Sequence, residues 1–148
     1  MRKNNAILSK LTAGFTIMEL IIVVILIALL TSVAYPRYIK AMEKSKVGEA
    51  MTNLFSIRMA EKAYFIQHGT FTSNMADLSI DDPNSVTSRY FYYESVAVPD
   101  LTVDFKFRAV RGGSGAVSAP SPYNGDIYMI QQDGEVRGRF TNDELNPN

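Results

Sequence analysis

Apolar residues dominate positions 15–35 of this 148-residue chain. From Leu20 to Leu30 every side chain is Leu, Ile, Val or Ala, and no charge occurs between Leu20 and Pro36. Counted from Phe15 to Tyr35 the stretch has 21 residues. As a helix it would be about 31 Å long at 1.5 Å per residue, matching a hydrocarbon core of about 30 Å. Pro36 closes the run, and within a helix its ring removes a backbone donor and breaks or kinks the element. Beyond it the pattern becomes periodic. Val47, Ala50, Met51, Leu54, Ile57, Ala60 and Tyr64 recur at spacings of three and four. Glu43, Lys44, Lys46, Glu49, Arg58, Glu61 and Lys62 mostly take the other directions. That spacing predicts an amphipathic helix, and His68-Gly69 supplies its stop. Together the two stretches predict one long helix over residues 15–67, its first half suited to a membrane and its second to a globular head.

After the helix the period changes from about 3.6 to 2. A turn-rich connection, Thr70 to Thr87, leads to the aromatic and β-branched stretch Ser88–Val98. Pro99-Asp100 makes a turn. From Leu101 the chain alternates, with Leu101, Val103, Phe105 and Phe107 on one face and Thr102, Asp104, Lys106 and Arg108 on the other. The Gly/Ser/Pro-rich stretch from Arg111 to Gly125 reads as a loop. Two further short strands flank Asp133-Gly134, a hairpin signal, and a polar tail follows. The expected fold class is α+β: the long helix packed on a small antiparallel sheet of about four strands. The organisation is 1–14 leader, 15–36 apolar helix, 37–68 amphipathic helix and 69–148 β-rich head.

Charge adds an orientation. The formal net charge is zero, but the first fourteen residues carry Arg2, Lys3 and Lys10 and no acid. Removing those three bases leaves twelve basic against fifteen acidic side chains. A basic flank ahead of an apolar span keeps that end in the cytoplasm and exports the remainder. A mildly acidic remainder gives no general nucleic-acid footprint. The absence of cysteine excludes disulfides, thiolate-ligated zinc and a cysteine nucleophile.

One residue fits neither a plain anchor nor a cleaved secretory signal. Glu19 sits near the start of the apolar run, where a carboxylate gains an anchor nothing and costs up to about 2.5–3.5 kcal/mol at mid-membrane depth. The run is also too long for a secretory h-region, and "TSVAYPR" offers no small-residue cleavage site.

The sequence "AGFTIMEL", with a basic leader before it and the uncharged run after it, resembles the prepilin signature of type IV pilins and type II secretion pseudopilins. The resemblance is tight over about the first forty residues, including a proline at Pro36; the head matches by layout alone. It implies cleavage between Gly14 and Phe15 by a prepilin peptidase that also N-methylates Phe15. It implies that Glu19 serves assembly by pairing with the new Phe15 amine, within one subunit or between neighbours. The implied function is a structural subunit of a type IV pilus-like fibre. The alternatives are a pseudopilin of a type II secretion system and a membrane-anchored binding domain that does not polymerise. The implied partners are further pilin copies, the peptidase, a pilus or secretion assembly platform and the inner membrane. The precursor would cross that membrane once, with its leader cytoplasmic and its head exported. It would then enter a surface fibre or a periplasmic pseudopilus. Related pilins often staple the C-terminal loop with a disulfide, so here the Asp133-Gly134 hairpin or loop packing must hold it.

Other chemistries find little support. The single histidine, His68, sits at the helix end with no nucleophile motif, so no enzyme is expected. "RGGSG" lacks the lysine of a phosphate loop. Asp77, Asp81 and Asp82 invite a calcium reading, yet the full ligand loop is missing, and solvated turn carboxylates are the expectation. No metal ligand and no cofactor is assigned. Met42, Met51, Met59, Tyr64 and Phe65 are read as packing residues, not as an electron-transfer stripe. Tyr90, Phe91, Tyr92 and Tyr93 could stack on single-stranded nucleic acid. Alternation along a strand instead divides them between core and subunit contacts.

Overall fold

The computed structural model describes residues 14–138, which divide after Ile39 into two compact units. Residues 1–13 of the expected leader and the tail beyond Gly138 lie outside the described residues. Helix α1 spans Ile17–His68, starting two residues later than expected and ending one later. Pro36, singled out as a helix break, lies inside α1, within the single long helix expected over residues 15–67. Its ring deletes the one N–H that would reach the Ser32 carbonyl, and the helical turns continue on either side.

In the second unit, α1 turns Val47, Ala50, Leu54, Ile57 and Ala60 inward. They meet a four-stranded antiparallel meander in the order β1-β2-β3-β4: β1 Phe91–Ser95, β2 Lys106–Arg111, β3 Ile127–Gln131 and β4 Val136–Gly138. Register places the inward side chains in rows, since Tyr93 faces Ala109, which faces Tyr128, and Phe107 faces Ile130. Phe91, Phe107, Ala109 and Ile130 are fully or almost fully buried. The Tyr93 hydroxyl, in the same layer, accepts a hydrogen bond from Asn53 on α1 at 2.8 Å. Burial then pushes its ionisation up to about 12, so it stays a neutral core residue.

Two departures from the sequence expectation have local causes. Leu101–Val103 is a turn, not the start of a strand, and Val103 is exposed. Asp100 Oδ1 accepts from both the backbone and the hydroxyl of Thr102, at 2.8 and 2.7 Å. This Asx-type turn outcompetes the alternation. The edge of β1 is closed by a side chain. Asn84 Oδ1 accepts from the Tyr93 N–H at 2.9 Å and its Nδ2 donates to the Tyr93 carbonyl at 2.8 Å. That pairing blocks the site where a foreign strand would add.

Candidate assembly site

In the first unit, Gly14, Phe15 and Thr16 precede α1 in non-helical backbone, and all three are exposed. The Gly14–Phe15 bond is therefore free of helix hydrogen bonding. Thr16 caps the helix: its carbonyl accepts from Leu20 N and its hydroxyl accepts from Glu19 N, both at 3.2 Å. The sequence Thr-x-x-Glu at 16–19 is a capping-box pattern, a signal that could have identified Thr16 and did not enter the sequence expectation. The cap fixes Glu19 in the first turn, where the helix dipole favours a negative charge. Among the described residues no cation pairs with its carboxylate.

From Phe15 to Tyr35 fifteen large apolar side chains stand exposed, from Ile21 and Val23 at 46 % to Phe15 at 82 %. Each would gain about 1.5–3 kcal/mol from burial. Together they outweigh the about 5–15 kcal/mol that typically holds a domain folded, so this surface cannot rest against water. Two hydroxyls inside the helical part of the run are satisfied within the helix: Thr31 donates to the Ile27 carbonyl at 2.8 Å and Ser32 to that of Leu29 at 2.7 Å. Neither therefore opposes burial in lipid or against other helices. By length and composition α1 is able to cross a membrane.

In the second unit, Glu43 and Glu61 are buried at 2 % and 0 % exposure, which corrects their placement on the polar face of α1. Glu43 forks onto Arg111, itself 2 % exposed, with Nε–Oε2 at 2.9 Å and Nη2–Oε1 at 3.2 Å. Lys46 adds a third bond at 2.8 Å. Burial would raise the Glu43 carboxyl; hydrogen bonds and charge from Arg111 and Lys46 hold it below its ordinary value. The remaining guanidinium nitrogen donates to the carbonyls of Tyr90 and Val117. Arg111 thus ties α1, the approach to β1 and the 112–125 loop to one point. Arg89 reaches the same loop through the Ser114 carbonyl at 2.7 Å. At the other end of the head, Arg58 donates from α1 to the Gln132 carbonyl at 3.1 and 3.2 Å. There Gly134 turns at φ 88°, and a Cβ would strike the guanidinium. Both the hairpin and loop packing therefore hold the C-terminal region without a disulfide.

The other residues singled out in the sequence are dispersed. His68 stacks on Tyr64 at 4.0 Å at the helix end. Phe91 and Tyr93 point inward, whereas Tyr90 and Tyr92 are half-buried. Asp77 accepts from Thr72 and Asn74, and Asp82 caps a short 3-10 turn. Among the described residues no three His, Asp or Glu side chains gather as metal ligands.

No family model matches the chain. It is 34 % identical over 90 residues to the type IV major pilin protein PilA of Myxococcus xanthus, covering 61 % of this chain and 40 % of that protein. It is 28 % identical over 130 residues to a fimbrial protein of Neisseria meningitidis, covering 88 % and 73 %. Similarity to the type IV major pilin protein PilE of Neisseria gonorrhoeae is 26 % over 83 residues, 56 % of this chain and half of that protein. The alignments with PilA and PilE thus span half or less of those proteins' length.

Proposed function

We propose that this chain, a member of the type IV pilin superfamily, is a structural subunit of a pilus fibre, assembled through the apolar half of α1. The observation that carries the proposal is the wholly exposed apolar segment with a capped Glu19 at its start that pairs with no cation among the described residues. In the precursor the segment is covered by lipid. In the fibre it is covered by the same segment of neighbouring copies, so the apolar area stays out of water when a subunit leaves the membrane. Cleavage after Gly14 would create an amine at Phe15, four residues before Glu19. N-methylation keeps that amine cationic. A head-to-tail helical polymer needs each interface to repeat with the same offset. A desolvated acid that demands a cation rewards one axial offset above the others. The three relatives described above carry pilin or fimbrial names, which favours a pilus over a secretion pseudopilus and a structural over a catalytic role. The peptidase, the assembly platform and the inner membrane complete the proposed route.

The test is Gly14→Ala. A Cβ at Gly14 meets nothing within 4 Å, so the fold tolerates the change. The expected result is a full-length precursor held in the membrane fraction and no subunit in fibres sheared from the cells. Normal trimming of the variant would refute the processing site.

A further inference from the structure

We infer that Glu61 is a protonation-controlled latch that holds the helix-to-sheet connection, Thr70 to Leu78, against α1. Its side chain is sealed from solvent. Oε2 accepts the Thr72 N–H at 3.1 Å, while Oε1 is buried with no partner among the described residues. Thr72 is gripped from its other side by a second acid, since its hydroxyl donates to Asp77 Oδ2 at 3.0 Å. The same hydroxyl accepts from Asn74 N at 3.0 Å, and Asn74 Nδ2 donates to Asp77 Oδ1 at 3.1 Å. The latch lies between two core anchors. Phe71 stacks on Phe65 at 4.6 Å and packs near Phe105 at 5.0 Å, and Leu78 is buried.

A carboxylate whose second oxygen is sealed away from water and from donors is costly when charged. The neutral acid keeps the Thr72 contact through its carbonyl oxygen at much lower cost. The charged form gains by reaching water, and water reaches Oε1 only if the connection lifts. Among charged groups, Asp77 on the connection acts on Glu61 and also opposes its ionisation. Arg58, on the same helix, is committed to the Gln132 and Asp133 carbonyls. Burial first, and Asp77 second, raise the Glu61 carboxyl to about 7 against the opposing pull of the Thr72 bond. The sign follows from proton binding. Between the ordinary value of 4.5 and about 7, the closed state holds a proton that the open state releases. Closure is therefore favoured at acid pH and weakens as pH rises through that window.

The test is hydrogen-exchange mass spectrometry on the full chain in detergent micelles, following the protection factor of the 70–78 segment over a pH series from 5.5 to 8. In the wild type that factor is expected to fall about thirtyfold, tenfold for each pH unit from 5.5 up to the closed-state value of about 7 and little beyond it. Glu61→Gln keeps the carbonyl acceptor and removes the titration, so its protection should not change with pH. Asp77→Asn removes the neighbouring charge and should move the wild-type midpoint to lower pH. A pH-independent wild type, the same pH response in Glu61→Gln, or an unmoved midpoint in Asp77→Asn would each overturn the latch. The readout is taken on unassembled subunits, so it stands or falls independently of the fibre.

Discussion

Glu19→Ala is expected to yield subunits that insert and are trimmed but enter fibres poorly. The substitution removes an acid from an apolar run and so makes the segment a better membrane anchor. A protein that needed only an anchor would accumulate unchanged or to a higher level. In the proposed fibre the effect is opposite. The Phe15 amine of a trimmed subunit is left in low dielectric without its counter-ion, and breaking such a pair costs about 3–5 kcal/mol. At about 1.4 kcal/mol per tenfold, each subunit addition would weaken by roughly a hundredfold or more. Quantifying subunit in the sheared fraction against total membrane subunit reads this directly. Because Glu19 is exposed and the Thr16 cap uses its backbone N–H, helix α1 should form normally in the variant. Circular dichroism of the micelle-bound chain should match the wild type, and an undiminished fibre yield would remove the assembly role of the acid.

Arg111→Met should be the most damaging substitution in the head. Among the described residues it leaves buried Glu43 with Lys46 alone as a cation, and it strips the Tyr90 and Val117 carbonyls of their shared donor. The expected loss is about 3–5 kcal/mol of unfolding free energy, a large share of the about 5–15 kcal/mol available to a domain. Thermal denaturation of the full chain in micelles measures it, and proteolysis within residues 112–125 should accelerate in parallel. Arg111→Lys should fall between, because an ammonium keeps the charge but cannot fork onto both Glu43 oxygens. The pair also gives the wild type an acid-side dependence. The Glu43 carboxyl is held below 4.5, so its contribution is present above that value. It is lost as pH falls through the depressed native value. Arg111→Met should lack this slope. A cost below about 1 kcal/mol, the range of an exposed ion pair, would mean that the loop is held by something other than Arg111.

How far these features were legible from residues alone depends on the reach of the interaction that makes them. The long helix follows from local pattern, and so does the amphipathic switch after Pro36. The buried acids are a mixed case. Glu43 and Glu61 lie in phase with Val47, Ala50, Leu54 and Ile57 at spacings of three and four, so their inward position was readable, but charge argued for the surface. What neutralises Glu43 is Arg111, 68 residues away. What Glu61 holds is a backbone N–H, which no side-chain pattern reveals. Within β1, Phe91 and Tyr93 turned inward and Tyr92 outward, as alternation predicts. Leu101 and Val103 left the strand because Asp100 offered the chain a competing turn. At the assembly site Gly14, Phe15 and Glu19 stood out as a motif, whereas the role of Thr16 required its hydroxyl geometry at Glu19 N. Pro36 was readable as a missing donor. That the helix carries on past it was readable too, from the periodic pattern that resumes on its far side.

Whether a trimmed subunit polymerises through α1 can be read from the intact mass of the protein recovered from fibres sheared off its native cells. The expected chain begins at Phe15 and carries one added methyl group. A mass fitting the full chain from Met1, found in the membrane and absent from sheared material, would contradict it and leave a membrane-tethered domain that does not assemble.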